Sequence, residues 1–125
     1  MNLRMGIKGM KELKKALKSK GNQANEALAK ALYQEAETIM NQAKRITPVD
    51  TGTLRNSGHV QQPKITRNAV EVMMGFGGAA EYAIYVHENI HVRHRVGQAK
   101  FLEQPLNQAA SGLSQRLASR IRDSL

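Results

Sequence analysis

"EYAIYVHENIHVRH", residues 81–94, admits two readings, and the choice between them decides the fold. Its centre, from His87 to His91, has the H-E-x-x-H spacing of zinc proteases. On a helix, His87 and His91 would share one face, with their β-carbons about 6 Å apart. One zinc ion could then bridge them, with Glu88 beside it as general base. On a strand the same two residues stand about 13 Å apart, at roughly 3.3 Å per residue. Zinc–nitrogen bonds are about 2 Å long, so one ion reaches both only across a sharp bend. Glu88 would also point to the opposite face. The lead-in "YAIYV" favours the strand, with Tyr82, Ile84 and Val86 on one face and Ala83, Tyr85 and His87 on the other. The longer pattern H-E-x-x-H-x-x-G-x-x-H fails as well. His94 stands where its glycine belongs, and Gly97 stands where its third histidine belongs. Two readings stay open for His87, His91 and His94. One is a loop-borne structural metal site. The commoner one is a set of surface histidines that, with Arg93 and Arg95, make a basic, pH-sensitive loop.

Upstream the strand reading extends. Val70, Val72, Met74 and Phe76 alternate with Glu71, Met73 and Gly75, the period of a half-buried strand. "HVQQPKIT", residues 59–66, is a weaker strand, and Pro63 points to an edge or a bulge there. "RN" at 67–68 is a plausible hairpin turn, and "GFGGAA" at 75–80 interrupts the pattern.

On both sides of these strands the period becomes helical. Residues 22–46 contain neither glycine nor proline, and Ala24, Leu28, Leu32, Ala36, Ile39, Ala43 and Ile46 form one apolar stripe. Such a helix is roughly 35 Å long. Pro48 ends it, because the residue before a proline is pushed out of helical geometry. A shorter basic helical segment is expected within 1–20, where Met10, Leu13 and Leu17 recur before Gly21. A last amphipathic helix is expected over 101–125, with Leu102, Leu106, Ala109, Leu113, Leu117 and Ile121 on one stripe. Pro105 fits only its first turn, so it should start near Leu102 or Glu103. Gly112 weakens it slightly. The order is short helix, long helix, about three to four antiparallel strands and a C-terminal helix, an α+β fold in a single domain. Its segments are 1–20, 22–46, a turn-rich loop at 47–58, strands at 59–90, a basic loop at 91–100 and the helix at 101–125.

The chain has 125 residues, 41% of them hydrophobic, enough for one modest core. Five residues are aromatic, so the core is aliphatic and methionine-filled. No cysteine is present, which excludes disulfides and thiolate metal sites. The basic N-terminus lacks an apolar run of signal-peptide length, and no stretch is long enough to span a bilayer. These features lead us to expect a soluble protein made inside a cell, with no membrane partner. Nineteen Lys/Arg against ten Asp/Glu give a net charge of +9, and seven of those cations fall within residues 1–20. That charge suits a solvated helix face, a nucleic acid or an acidic protein surface. Aromatic residues are too few for a base-stacking platform.

"VDTGT", residues 49–53, has the Asp-Thr-Gly of aspartic proteases, but a proline-broken helix end leads into it and the chain is too helical for that β fold. The structural reading is better: Asp50 and Thr51 hydrogen-bond amides of the next turn, and Gly52 permits the bend. No G-x-S-x-G or phosphate-binding loop occurs.

Three stretches taken together carry a resemblance. "ITPVDTGTLRNS" (46–57), "YAIYVHE" (82–88) and "GQAKFLEQPL" (97–106) are similar, in order and spacing, to small tail-component, tail-completion and head–tail joining proteins of long-tailed double-stranded DNA phages. The resemblance covers roughly residues 10–120. It departs from the family where many members have a shorter "E-F-G-T" turn and this chain has "HENIHVRHRVGQA". It implies assembly and not catalysis, with no cofactor and no metal. It implies a structural turn at Pro48, Asp50, Thr51, Gly52, Leu54 and Arg55, and a core or assembly signature at Tyr82, Tyr85, Val86, His87, Glu88, Phe101 and Leu102. Its further implications are a homo-oligomeric ring, six- or twelve-fold, in the virion neck or tail after synthesis in the host cytoplasm, and portal, connector, tail-terminator or tail-tube proteins as partners. Arg93, Arg95 and Lys100 would then touch a neighbouring subunit or the passing DNA, without sequence preference. The alternative is a basic, sequence-independent DNA-binding accessory protein.

Overall fold

The computed structural model describes Lys15 and residues 23–47, 52–66, 69–78, 82–87, 92–94 and 100–124. The expected N-terminal helix lies outside the described residues except for Lys15, which is helical.

Helix α1, Gln23–Ile46, forms where the sequence lacks breakers, and at 24 residues it is about 36 Å long. Glu26 in its first turn and Lys44 and Arg45 in its last complement the helix dipole. The expected stripe is buried from Ala24 to Ala43, and a second row, Ala27, Ala31 and Met40, is buried beside it. The stripe ends one turn early: Ile46, expected in it, is 45% exposed. The cause is its position as the last helical residue, beyond which the chain bends at Thr47.

A short helix, α2 (Gly52–Asn56), occupies the segment expected to be loop. Thr53, Leu54, Arg55 and Asn56 tolerate helical geometry, and the Ser57 amide closes the turn on the Thr53 and Leu54 carbonyls, 3.1 Å from each. The glycines with positive φ among the described residues are Gly77 and Gly112, so the bend does not use a left-handed Gly52.

The sheet is antiparallel. Strands β1 (His59–Val60) and β2 (Lys64–Ile65) both pair with β3 (Ala69–Gly75), and β3 pairs with β4 (Tyr82–His87). β1 and β2 are two halves of one edge strand. Val60 faces Met74 and Lys64 faces Glu71, so the four-residue step from 60 to 64 is opposed by a three-residue step from 74 to 71. The extra residue is a bulge, and Pro63, which cannot donate to a ladder, sits in it. The core face read in the sequence is buried, with Val70, Val72 and Met74 on β3 and Tyr82, Ile84 and Val86 on β4, and Ala83 on the opposite face of β4 is buried as well. A further strand, β5 (Val92–His94), pairs with β4 within what was expected to be a basic loop. Val92 lies opposite Val86, and two β-branched residues in register extend the sheet by one strand.

The single C-terminal helix is two helices, α3 (Lys100–Ala110) and α4 (Leu113–Ser124). Gly112 adopts φ +76, a left-handed conformation that ends a helix rather than merely weakening it. α3 also starts earlier than expected, so Pro105 lies in its second turn. α1 is the central element and contacts β1, β2, β3, α3 and α4. Leu102, Leu106, Leu113, Leu117 and Ile121 share one core with α1 and the inner sheet face. No described helix is long and apolar enough to cross a membrane.

Candidate assembly site around the long helix

The segment that follows α1 is a junction built from caps. The last four carbonyls of any helix lack intrahelical partners. Here Thr47 returns its hydroxyl to the Ala43 carbonyl at 2.8 Å, and Arg55 reaches back from α2 to donate to the Thr47 carbonyl at 2.9 Å. Arg55 Nε is buried and has no hydrogen-bond partner. Ser57 links two elements: its hydroxyl donates to the Leu54 carbonyl at 2.6 Å and accepts the Gly77 amide at 2.9 Å. His59 Nδ1 lies 3.0 Å from the Ser57 carbonyl.

At Gly58 the chain passes tightly against α1 and Phe76. A β-carbon there would lie 2.8 Å from Lys44 Cε, 2.8 Å from Phe76 Cε1 and 2.9 Å from Met40 Sδ. Phe76 and Met40 are buried and cannot withdraw into solvent. Leu54 packs against the core from the same junction. The end of α1, the short α2 and the far end of β3 are thus fixed together by Thr47, Arg55, Ser57 and Gly58. Pro48, Asp50 and Thr51, expected in the turn, lie outside the described residues.

The aromatic strand serves the core. Tyr82 and Val86 are buried, Leu102 is buried, and Phe101 meets Phe76 edge-on with ring centroids 6.3 Å apart and an interplanar angle of 78°. The backbone places Tyr85 and His87 on β4, Arg93 on β5 and Lys100 at the start of α3. His87 is the last residue of β4, so the H-E-x-x-H stretch does not begin on a helix. Glu88, His91 and Arg95 lie outside the described residues.

Sequence reasoning missed a charged keystone on α1. Glu35 is 3% exposed within the buried face. Arg116 Nε meets one of its carboxylate oxygens at 2.7 Å and Arg120 Nε meets the other at 2.8 Å. Arg116 also donates to the Ala109 and Ser111 carbonyls at 2.8 and 2.9 Å, closing the end of α3. Arg120 adds a bond to Gln34 Oε1 at 2.9 Å. The available signal was a carboxylate beside Ala36 of the apolar stripe, matched by two arginines four residues apart on α4. Sequence reasoning also missed a groove of about 350 Å³ between α1 and the bulged edge, whose lining includes Ala29, Tyr33, Pro63 and Ile65. The Tyr33 phenol is raised above its ordinary value, first by its hydrogen bond to Glu37, then by burial, then by the charge of Glu37.

The pieces that sequence and structure share are joints and packing faces. No curated protein and no solved structure matches the chain. A family model described as "Bacteriophage HK97-gp10, putative tail-component" matches residues 10–88, from the segment before α1 to the residue after β4.

Proposed function

The chain belongs to this HK97-gp10-like family of phage tail components, and from that premise we propose that it is a non-enzymatic neck subunit, acting in head–tail joining or tail completion. In this reading it repeats, six- or twelve-fold, as part of a ring around the DNA channel. Its neighbours there are portal or connector proteins on one side and tail-terminator or tail-tube proteins on the other. A structural virion protein is what the family membership gives, and the ring and its position are our extension of it.

The observation that carries the reading is the junction after α1. Within the matched segment, Arg55, Ser57 and Gly58 hold helix to sheet. Such a joint produces a rigid block that can be repeated around an axis. The net charge of +9 favours proximity to DNA or to acidic neighbours.

Removing this chain from its phage tests the reading. Loss should leave filled heads and separate tails, restored to joined particles by adding the protein back. Intact, infectious particles without it would refute the neck assignment.

A further inference from the structure

The chain keeps its two kinds of cation largely apart. Six of its ten lysines fall within residues 8–20, and eight of its nine arginines lie beyond residue 20. Residues 1–20 hold seven Lys/Arg against the single acid Glu12, a net of +6. The remaining residues, 21–125, hold twelve against nine, a net of +3. In the folded body arginines make directional contacts: Arg116 and Arg120 hold Glu35, and Arg55 caps the Thr47 carbonyl. Of residues 1–20 the described one is Lys15, which is helical and exposed.

We propose that a lysine face, Lys11, Lys14, Lys15 and Lys18, binds the phosphate backbone of double-stranded DNA without sequence preference. At about 100° per residue, a helix through Lys15 sets these four within an arc of about 100°. Met10, Leu13 and Leu17 share a second arc of about 60°, centred about 120° away. Glu12 lies about 60° beyond Lys15, outside the lysine arc. The exposure of Lys15 fixes the phase and turns the lysine arc outward. Lys11 and Lys15, like Lys14 and Lys18, are like charges four residues apart, a spacing that destabilises a helix. A polyanion laid along them relieves that repulsion. Lysine is a flexible, hydrated point charge without the rigid fork by which arginine fixes one geometry, so it holds a phosphate and lets it move on. Residues 1–20 contain no aromatic side chain on which an unpaired base could stack, which favours duplex over single strands. The proposal rests on the reading of the chain as a subunit beside the DNA channel. It gives the contact with DNA to this face in place of Arg93, Arg95 and Lys100.

The salt dependence of binding tests it. Fluorescence anisotropy with labelled duplexes of two unrelated sequences should give equal affinities for the full chain. Each phosphate contact contributes about 0.9 to the slope of log affinity against log salt. The quadruple variant Lys11→Gln, Lys14→Gln, Lys15→Gln, Lys18→Gln should therefore bind with a slope shallower by about three to four per chain. The triple variant Arg93→Gln, Arg95→Gln, Lys100→Gln should keep the wild-type slope. Glutamine is a good helix former, so the quadruple variant should fold, as far-UV circular dichroism will show. Should it unfold, Lys15→Gln alone should lower the slope by about one.

Two results would overturn the proposal. If the quadruple variant keeps the wild-type slope, DNA meets another surface. If the wild type binds neither duplex even at low salt, the face does not bind DNA, and a quadruple variant that then fails to join heads to tails assigns it to an acidic protein instead. Neither result touches the neck reading, which is judged by the particles formed when the chain is removed.

Discussion

Two joints in this protein end a helix by the same device and secure it differently. After α1, Arg55 donates to the Thr47 carbonyl, and the joint is tightened by Gly58, whose missing side chain lets Lys44, Phe76 and Met40 close in. After α3, Arg116 donates to the Ala109 and Ser111 carbonyls, and the joint turns through the left-handed Gly112. The first brings the Arg55 guanidinium to a carbonyl, with no ion pair to it among the described residues, and is held by shape. The second is anchored on the buried Glu35 carboxylate, with Arg120 as its other partner. Both arginines cap carbonyls, yet only one also neutralises a charge that α1 buries. The glycines likewise serve different ends, one providing room and the other a backbone conformation.

This contrast orders the consequences of substitution. Arg116→Ala should be the most damaging, at about 3 kcal/mol by chemical denaturation, because it leaves Glu35 with half its partners and uncaps α3. Gly58→Ala should cost about 2 kcal/mol, since the new β-carbon must displace buried Phe76 and Met40. Gly112→Ala should cost about 1 kcal/mol through backbone conformation. There a β-carbon meets only the Arg116 Nη1 end, at 3.1 Å, so a few tenths of an ångström of movement at that half-exposed end suffices. Arg55→Ala should also cost about 1 kcal/mol, the value of one carbonyl bond. If Arg55→Ala equalled Arg116→Ala, the distinction between a shape-held joint and a charge-anchored one would fail.

The smallest effect concerns the surface that the joints frame. Tyr33 has its folded pKa raised above 10.0, so its contact with Glu37 contributes fully below that value and is lost as the phenol ionises at higher pH. Ultraviolet titration should show Glu37→Gln moving this ionisation back toward 10.0, with the other tyrosines unchanged.

Local order was legible in the sequence, and the joints were not. α1 could be read because no breaker interrupts its 24 residues, and β3 and β4 because the large apolar residues of their core face recur at every second position. α2 was read as loop because the turn formers around Leu54 also permit one helical turn. Gly112 was taken as a mild weakness because a sequence does not display the sign of φ. β5 was hidden because Val92 becomes a strand residue only when set opposite Val86. Glu35 meets its arginines across separations of 81 and 85 residues, beyond the reach of any local period. Ile46 fitted the apolar stripe by spacing alone. Its exposure follows from the chain turning away, which only the fold reveals.

The function proposed for this chain is to repeat within a particle and not to catalyse. A native mass spectrum of the full 13.8 kDa chain, recorded with zinc present, addresses it most directly. The account predicts a closed assembly of six or twelve copies without zinc adducts. A monomer holding one zinc ion per chain would contradict it and return the His87–His91 stretch to the centre of the question.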